Sequence, residues 1–321
     1  MSAAMPSILI KKGVCQLLAL NKFSIQQWLK SFDSIIFDAD GVLWHREEVI
    51  EEAPQTFNAL RAMGKQVFIC TNHSAMSANR LSTKAQKLGF LISKHEILSS
   101  SMALARYLQE RKFKRKVYIV GEQGIAEELK AVGIESLPIG DELEDGCSLH
   151  EQMLTTPLDK DVGAVAVGID SKFNALKISK ACCYLADRKV LFLATNRDLA
   201  FPAAVGTLTP GAGVMVAAVQ AASNRLPFTC GKPNTYICLH LIREGIIKPE
   251  RTLMVGDTMH TDIHFGYNCG FQTLLVGTGV NSLDDVAAAQ KSSKPKMYQQ
   301  IPDLYVPKLA DLLKFLPSKN G

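Results

Sequence analysis

The chain has 321 residues, of which 47% are hydrophobic and 21% charged, which excludes a disordered polypeptide and leaves room for one large or two ordinary domains. Its net charge of +5 is spread out, with no Lys/Arg block interleaved with aromatics, so no nucleic-acid partner is expected. No apolar stretch reaches the ~18–20 residues of a membrane span, so no membrane partner is expected either.

Residues 1–23 read as an N-terminal arm. Its lysines, Lys11, Lys12 and Lys22, come without any arginine, so mitochondrial import is set aside for a cytoplasmic location. The eight cysteines form no Cys-x-x-Cys pair and no His cluster joins them, which suits free thiols in a reducing compartment rather than zinc. A helix is expected from Ser24, as N-cap, through Trp28 and Leu29. The apolar run from Ser34 to Phe37 then reads as a buried strand that ends in Asp38-Ala39-Asp40-Gly41. Residues i and i+2 of a strand point to one side, so the two carboxylates start out facing one cation-binding place, where hard oxygens suit Mg²⁺. Asx-turn chemistry at a strand end is the plainer alternative.

A helical pattern over 53–63 ends at Gly64, and a strand over 66–70 follows, tipped by Thr71-Asn72-His73-Ser74. Such a tip before a helix offers an anion site, or simply a cap. A helix over 77–88 ends at Gly89. Strands over 117–120, 162–167 and 190–194 and helices over 175–185 and 213–222 make a middle region, 114–226, that reads as an inserted domain with a loop over 138–161. The core is then 24–113 with 227–321.

Beyond the insertion, Gly231-Lys232-Pro233 precedes a helix over 234–242; alone, Lys232 would pass for a surface lysine. A strand over 253–255 ends in Gly256-Asp257, with Asp262 five residues on, at a helix start where capping is its plainer role. A last strand is read over 273–276 and an exposed loop over 290–295. Alternating strands and helices predict an open α/β sheet, whose ligands bind beyond the carboxyl ends of the strands. Tips of Asp-x-Asp, Thr, Lys and Asp, in that order, say more than any one of them.

That ordered set resembles the haloacid dehalogenase superfamily of phosphatases. Asp38-Ala-Asp40-Gly41-Val-Leu-Trp44, Thr71-Asn72, Gly231-Lys232-Pro233 and Gly256-Asp257…Asp262 are similar to its four motifs. Within it, the likeness is to the phosphoglycolate phosphatase and pyridoxal phosphate phosphatase (chronophin) subgroup, through strings such as Thr195-Asn196-x-Asp198 and Pro210-Gly-x-Gly213. The resemblance implies a Rossmann-like open parallel-sheet core with an inserted α/β cap of the C2 type, and homodimers formed through the cap. It implies a Mg²⁺-dependent phosphomonoesterase of small phosphorylated metabolites. Asp38 is its expected nucleophile, forming an aspartyl-phosphate, and Asp40 its acid and base. Thr71 and Lys232 complete the catalytic set. Asn72, His73 and Arg197 join Thr71 and Lys232 in substrate binding. Mg²⁺ is expected on Asp38, Asp257, Asp262 and the Asp40 carbonyl.

Three departures from the subgroup pattern stand out. His73 replaces an Asn, and Thr258-Met259-His260 replaces a more polar stretch. Phe201 stands where pyridoxal phosphate phosphatase has a substrate-contacting His, which favours a phosphoglycolate-type ester. The alternatives are a phosphoprotein or pyridoxal phosphate phosphatase and, outside enzymes, a catalytically silent phospho-ligand binding protein.

Overall fold

The computed structural model describes residues 15–140, 146–202, 208–292 and 294–316. The chain divides into two compact units. The first takes the described residues up to Thr71, residues 82–97, and those from Lys232 onward; the second takes residues 72–81 and 98–231.

The first unit is built on a parallel sheet. Ser34–Phe37, buried throughout, lies between Thr252–Gly256 on one side and Gln66–Thr71 on the other. Phe37 pairs with both Val255 and Ile69, so the three strands end within two residues of one another. Beyond Thr252–Gly256 come Gln272–Val276, Leu304–Val306 and Cys15–Gln16; Ile97–Ser99 stands at the other edge. The chain passes from Ser34–Phe37 to Gln66–Thr71 on one side, and its return fills the other, which makes the central strand the switch point of the sheet. The strands are short apolar runs because both faces are covered. On one face, Phe57 of the Ala53–Ala62 helix packs against Phe37 and Phe90, with ring centroids 5.0 and 5.4 Å apart.

The second unit carries its own parallel sheet, in the order Phe228–Thr229, Leu191–Ala194, Val162–Val167, Lys116–Val120. The helices Ala175–Leu185 and Ala212–Ser223 contribute Leu185, Met215 and Val216 to a core with Tyr118, Val165 and Val167. A buried charge pair lies within this unit: Lys177 Nζ donates to both carboxylate oxygens of Asp170, at 2.7 and 2.9 Å. The expected fold class therefore holds, an open parallel α/β core carrying an inserted α/β domain.

Several local expectations are corrected. The first helix is Lys22–Lys30, and its N-cap is Asn21, whose side chain accepts from Ser24 N–H; Ser24 is inside the helix. Residues 1–14 of the expected arm lie outside the described residues, but Cys15–Gln16 pairs with Leu304–Val306 and Leu17 is buried. The loop expected over 138–161 contains the helix Leu149–Thr155, started by a reciprocal Ser148–Glu151 capping box that its polar composition concealed. The helix Leu283–Lys291 takes in Gln290 and Lys291, which were expected in a loop. The helix expected over 234–242 is two short pieces, Thr235–Ile237 and Leu239–Arg243, broken at Cys238. Phe228–Thr229 pairs with Leu191–Ala194, so the second sheet runs past the 226/227 boundary read from the sequence. No helix among the described residues is long and apolar enough to cross a membrane.

Removing one partner of a buried ion pair strands the other charge away from water. Lys177→Ala should therefore lower the unfolding free energy by about 3–5 kcal/mol in urea titrations. The double variant Asp170→Leu/Lys177→Met should cost clearly less than that single change.

Candidate active site

The carboxyl ends of two neighbouring strands of the first unit, Ser34–Phe37 and Thr252–Gly256, bring its acids together. Asp38 follows Phe37 directly, and its N–H bonds to Val255 O at 2.8 Å, which continues the ladder to the neighbouring strand. Asp257 follows the Thr252–Gly256 strand, and Asp262 lies one helical turn later, in the widened turn Met259–Ile263. One carboxylate oxygen from each of Asp38, Asp257 and Asp262 lies within 4.8 Å of the others.

Lys232 enters this group from a loop rather than from a strand of the sheet. Its Nζ donates to Asp38 Oδ1 at 2.6 Å, Asp262 Oδ1 at 2.7 Å and the Cys70 carbonyl at 2.7 Å. Only 2% of its side chain is exposed, so the ammonium has exchanged its water shell for these three acceptors. Burial opposes the charge, yet the Asp262 and Asp38 carboxylates outweigh it and hold the lysine well above its ordinary range. The Cys70 thiol behind the site is pushed up, chiefly by burial.

The acids respond in the opposite sense. Burial, then the Asp262 charge, pushes Asp38 well above the usual carboxylate range, against the pull of Lys232. Burial and Asp262 push Asp257 up to about 7, although Val280 N–H donates to its Oδ2 at 2.8 Å and the Thr258 hydroxyl to its Oδ1 at 3.1 Å. Asp262 Oδ2 is held by the N–H groups of Asp257 and Thr258, at 3.2 and 3.1 Å. Three carboxylates facing one lysine leave an excess of negative charge in a largely dehydrated place. A hard divalent cation on these oxygens would neutralise it.

The remaining predicted residues are not members of the three-acid group. Asp40 is exposed, and its carboxylate stands outside the three-acid group. Thr71 ends its strand and is buried. Asn72, His73 and Arg197 belong to the second unit. There Asn72 Nδ2 donates to Asp198 Oδ2 at 3.0 Å, an oxygen that also accepts from Asn196 Nδ2 at 2.8 Å. Arg197 donates to Gln220 Oε1 at 2.6 Å. Sequence reasoning missed the segment from Thr278 to Asn281, which contacts both Asp257 and Gly41; two closely spaced glycines after an apolar strand, Gly277 and Gly279, were its signal.

Comparison with known proteins gives a consistent result. Residues 35–135 match the family described as haloacid dehalogenase-like hydrolase, and residues 229–312 match a HAD-hydrolase-like family. Glycerol-3-phosphate phosphatase of Rattus norvegicus is 38% identical over 90% of this chain and 92% of its own length. Chloroplastic phosphoglycolate phosphatase 1A of Arabidopsis thaliana is 38% identical over 88% of this chain and 79% of its own. The p-nitrophenyl phosphatase of Archaeoglobus fulgidus superposes with a TM-score of 0.72 at 27% identity, over 89% of this chain and 100% of that one. A glycerol phosphate phosphatase from Mycobacterium tuberculosis, solved in complex with magnesium, superposes with a TM-score of 0.71 at 25% identity, over 88% of this chain and 78% of that one.

A carboxyl group whose pKa is higher in the folded than in the unfolded state holds a proton that unfolding releases. Its favourable contribution is complete below the unfolded value, near 4, and is lost as pH rises through about 7, the folded value of Asp257. In excess chelator the unfolding free energy should therefore fall between pH 5 and 8. Asp257→Asn should flatten that slope in denaturant titrations across the same range.

Proposed function

Because the chain belongs to the haloacid dehalogenase-like hydrolases, we propose that it is a Mg²⁺-dependent phosphomonoesterase of small phosphorylated metabolites, favouring phosphoglycolate-type esters. The observation that carries this reading is the cluster of Asp38, Asp257 and Asp262 around a buried Lys232. All of its cation-facing donors are hard carboxylate oxygens, which suit Mg²⁺ and not a soft metal. When bound there, Mg²⁺ supplies positive charge opposite the transferring phosphoryl group.

Asp38 attacks phosphorus through a carboxylate oxygen as the ester oxygen leaves, giving an aspartyl-phosphate. Asp40 gives its proton to the departing alkoxide, then takes one from the water that hydrolyses the acyl phosphate. Lys232, fixed by Asp262 and Cys70, holds Asp38 in line and offers positive charge to the phosphate. Thr71 and Asn72 hold phosphate oxygens, a role supported for Thr71 by its place at the end of the strand that pairs with Ser34–Phe37. Residues 114–226 act as the cap, and the resemblance supports a homodimer through it.

Phosphoglycolate and glycerol 3-phosphate are supported together by the named substrates of the relatives, and Phe201 weighs against pyridoxal phosphate. Hydrolysis of p-nitrophenyl phosphate should require Mg²⁺, and Asp38→Asn should lower kcat by at least about 10³-fold. A ³²P-labelled, hydroxylamine-labile phosphoenzyme should accumulate in Asp40→Asn. Phosphate release should rank phosphoglycolate first in a panel with glycerol 3-phosphate, pyridoxal phosphate and a phosphopeptide. A lead for either of the last two would reject the substrate class, and full activity in Asp38→Asn would reject the mechanism.

A further inference from the structure

The segment Thr278-Gly279-Val280-Asn281 has no part in the four motifs, yet it ties two of them together. It leaves the Gln272–Val276 strand at Gly277, whose N–H is held by the carbonyls of Val306 and Pro307, both at 3.1 Å. It ends at Ser282, the N-cap of the Leu283–Lys291 helix, in a reciprocal capping box with Asp285. Both ends of this short segment are therefore fixed.

Between those ends it makes four bonds to the catalytic elements. Val280 N–H donates to Asp257 Oδ2 at 2.8 Å, and Asn281 N–H to the Asp257 carbonyl at 3.0 Å. Asn281 Oδ1 accepts from Met259 N–H at 2.8 Å, and the Thr278 hydroxyl donates to Gly41 O at 2.6 Å. Gly41 itself lies at φ +85°, a conformation that suits glycine, in the turn that carries Asp38 and Asp40. A Cβ on Gly279 would overlap the Asp257 carboxylate. The loop backbone thus lies directly against that acid, with no side chain between them.

We propose that Thr278–Asn281 is a positioning element that sets the Asp257 carboxylate against the Asp38–Gly41 turn, and so sets the affinity of the site for its divalent cation. The inference rests on the Mg²⁺-dependent reading above. Thr278 and Gly279 act through Gly41 and Asp257, the residues they contact, and neither belongs to the acid cluster. Outer partners that fix a ligating carboxylate are worth roughly 10–100-fold in metal affinity.

The test is Mg²⁺ titration of Gly279→Ala, Thr278→Val and Thr278→Ser, followed by the Mg²⁺-induced rise in thermal midpoint and, separately, by p-nitrophenyl phosphate hydrolysis. Gly279→Ala and Thr278→Val should raise the half-saturating Mg²⁺ concentration at least about 10-fold in both readouts. Thr278→Ser, which keeps the hydroxyl, should stay close to wild type. Unchanged half-saturation in Thr278→Val, with only a lower midpoint in chelator, would make the loop merely structural and overturn the inference even if Gly279→Ala fails to fold. A wild-type protein with no Mg²⁺ response would instead sink the functional reading, and the inference with it.

Discussion

The Lys232 ammonium, buried among Asp38, Asp262 and the Cys70 carbonyl, is the interaction on which the site depends. A lone buried lysine would lose its proton, and a lone buried carboxylate would gain one. Here the two acids hold the lysine charged, and the lysine in turn favours the ionised form of Asp38 without securing it. The lysine stays an ammonium because two acids face it, and Asp38 is pulled toward ionisation because the lysine faces it. The pull falls short of the desolvation and repulsion acting on Asp38, so the cluster as a whole is still short of positive charge. That shortfall gives the site its appetite for a divalent cation. In the mechanism proposed above, that cation would also draw the Asp38 carboxyl back toward its ionised form.

Sheet topology makes this meeting possible. Asp38 and Asp257 lie far apart in sequence but on neighbouring parallel strands in matched register, Phe37 opposite Val255. Lys232 returns from the inserted unit to meet them, so the insertion lengthens a connection without disturbing the sheet. Long connections between fixed ends cost little extra chain entropy, since loop closure grows only logarithmically with length. A second folded unit can therefore sit within the chain while the acids and the lysine keep their register.

The parallel core strands were legible because they are uninterrupted apolar runs of β-formers, as in Ser34–Phe37 and Val162–Val167. The short edge strands were not. Cys15–Gln16 at the edge depends on pairing with Leu304–Val306, which itself pairs with Gln272–Val276, and two or three residues carry no period to read. The helix Leu149–Thr155 hid in a polar stretch because its stability begins with a cap rather than an apolar face. At the site, Asp38, Asp257 and Lys232 stood out because each charge follows an apolar run or a glycine, and Asp262 through its spacing from Asp257. The backbone donors were invisible. Val280 N–H on Asp257 and Cys70 O on Lys232 are properties of the fold, with no side chain to announce them.

The two aspartates of the first motif started as equals in the sequence and end with different surroundings. Asp38 is only 14% exposed and is bonded to Lys232, whereas Asp40 is exposed and lies outside the acid cluster. The difference follows from the turn: the strand ends at Phe37, and Gly41 at positive φ bends the chain, so strand alternation no longer governs residue 40. A nucleophile gains from being fixed and ionised beside a cation. An acid and base must instead trade protons with an alkoxide and then with water, which favours a carboxyl group in contact with solvent and free of a lysine clamp. On the proposed mechanism, the same three-residue stretch would serve both needs because the backbone turns between them.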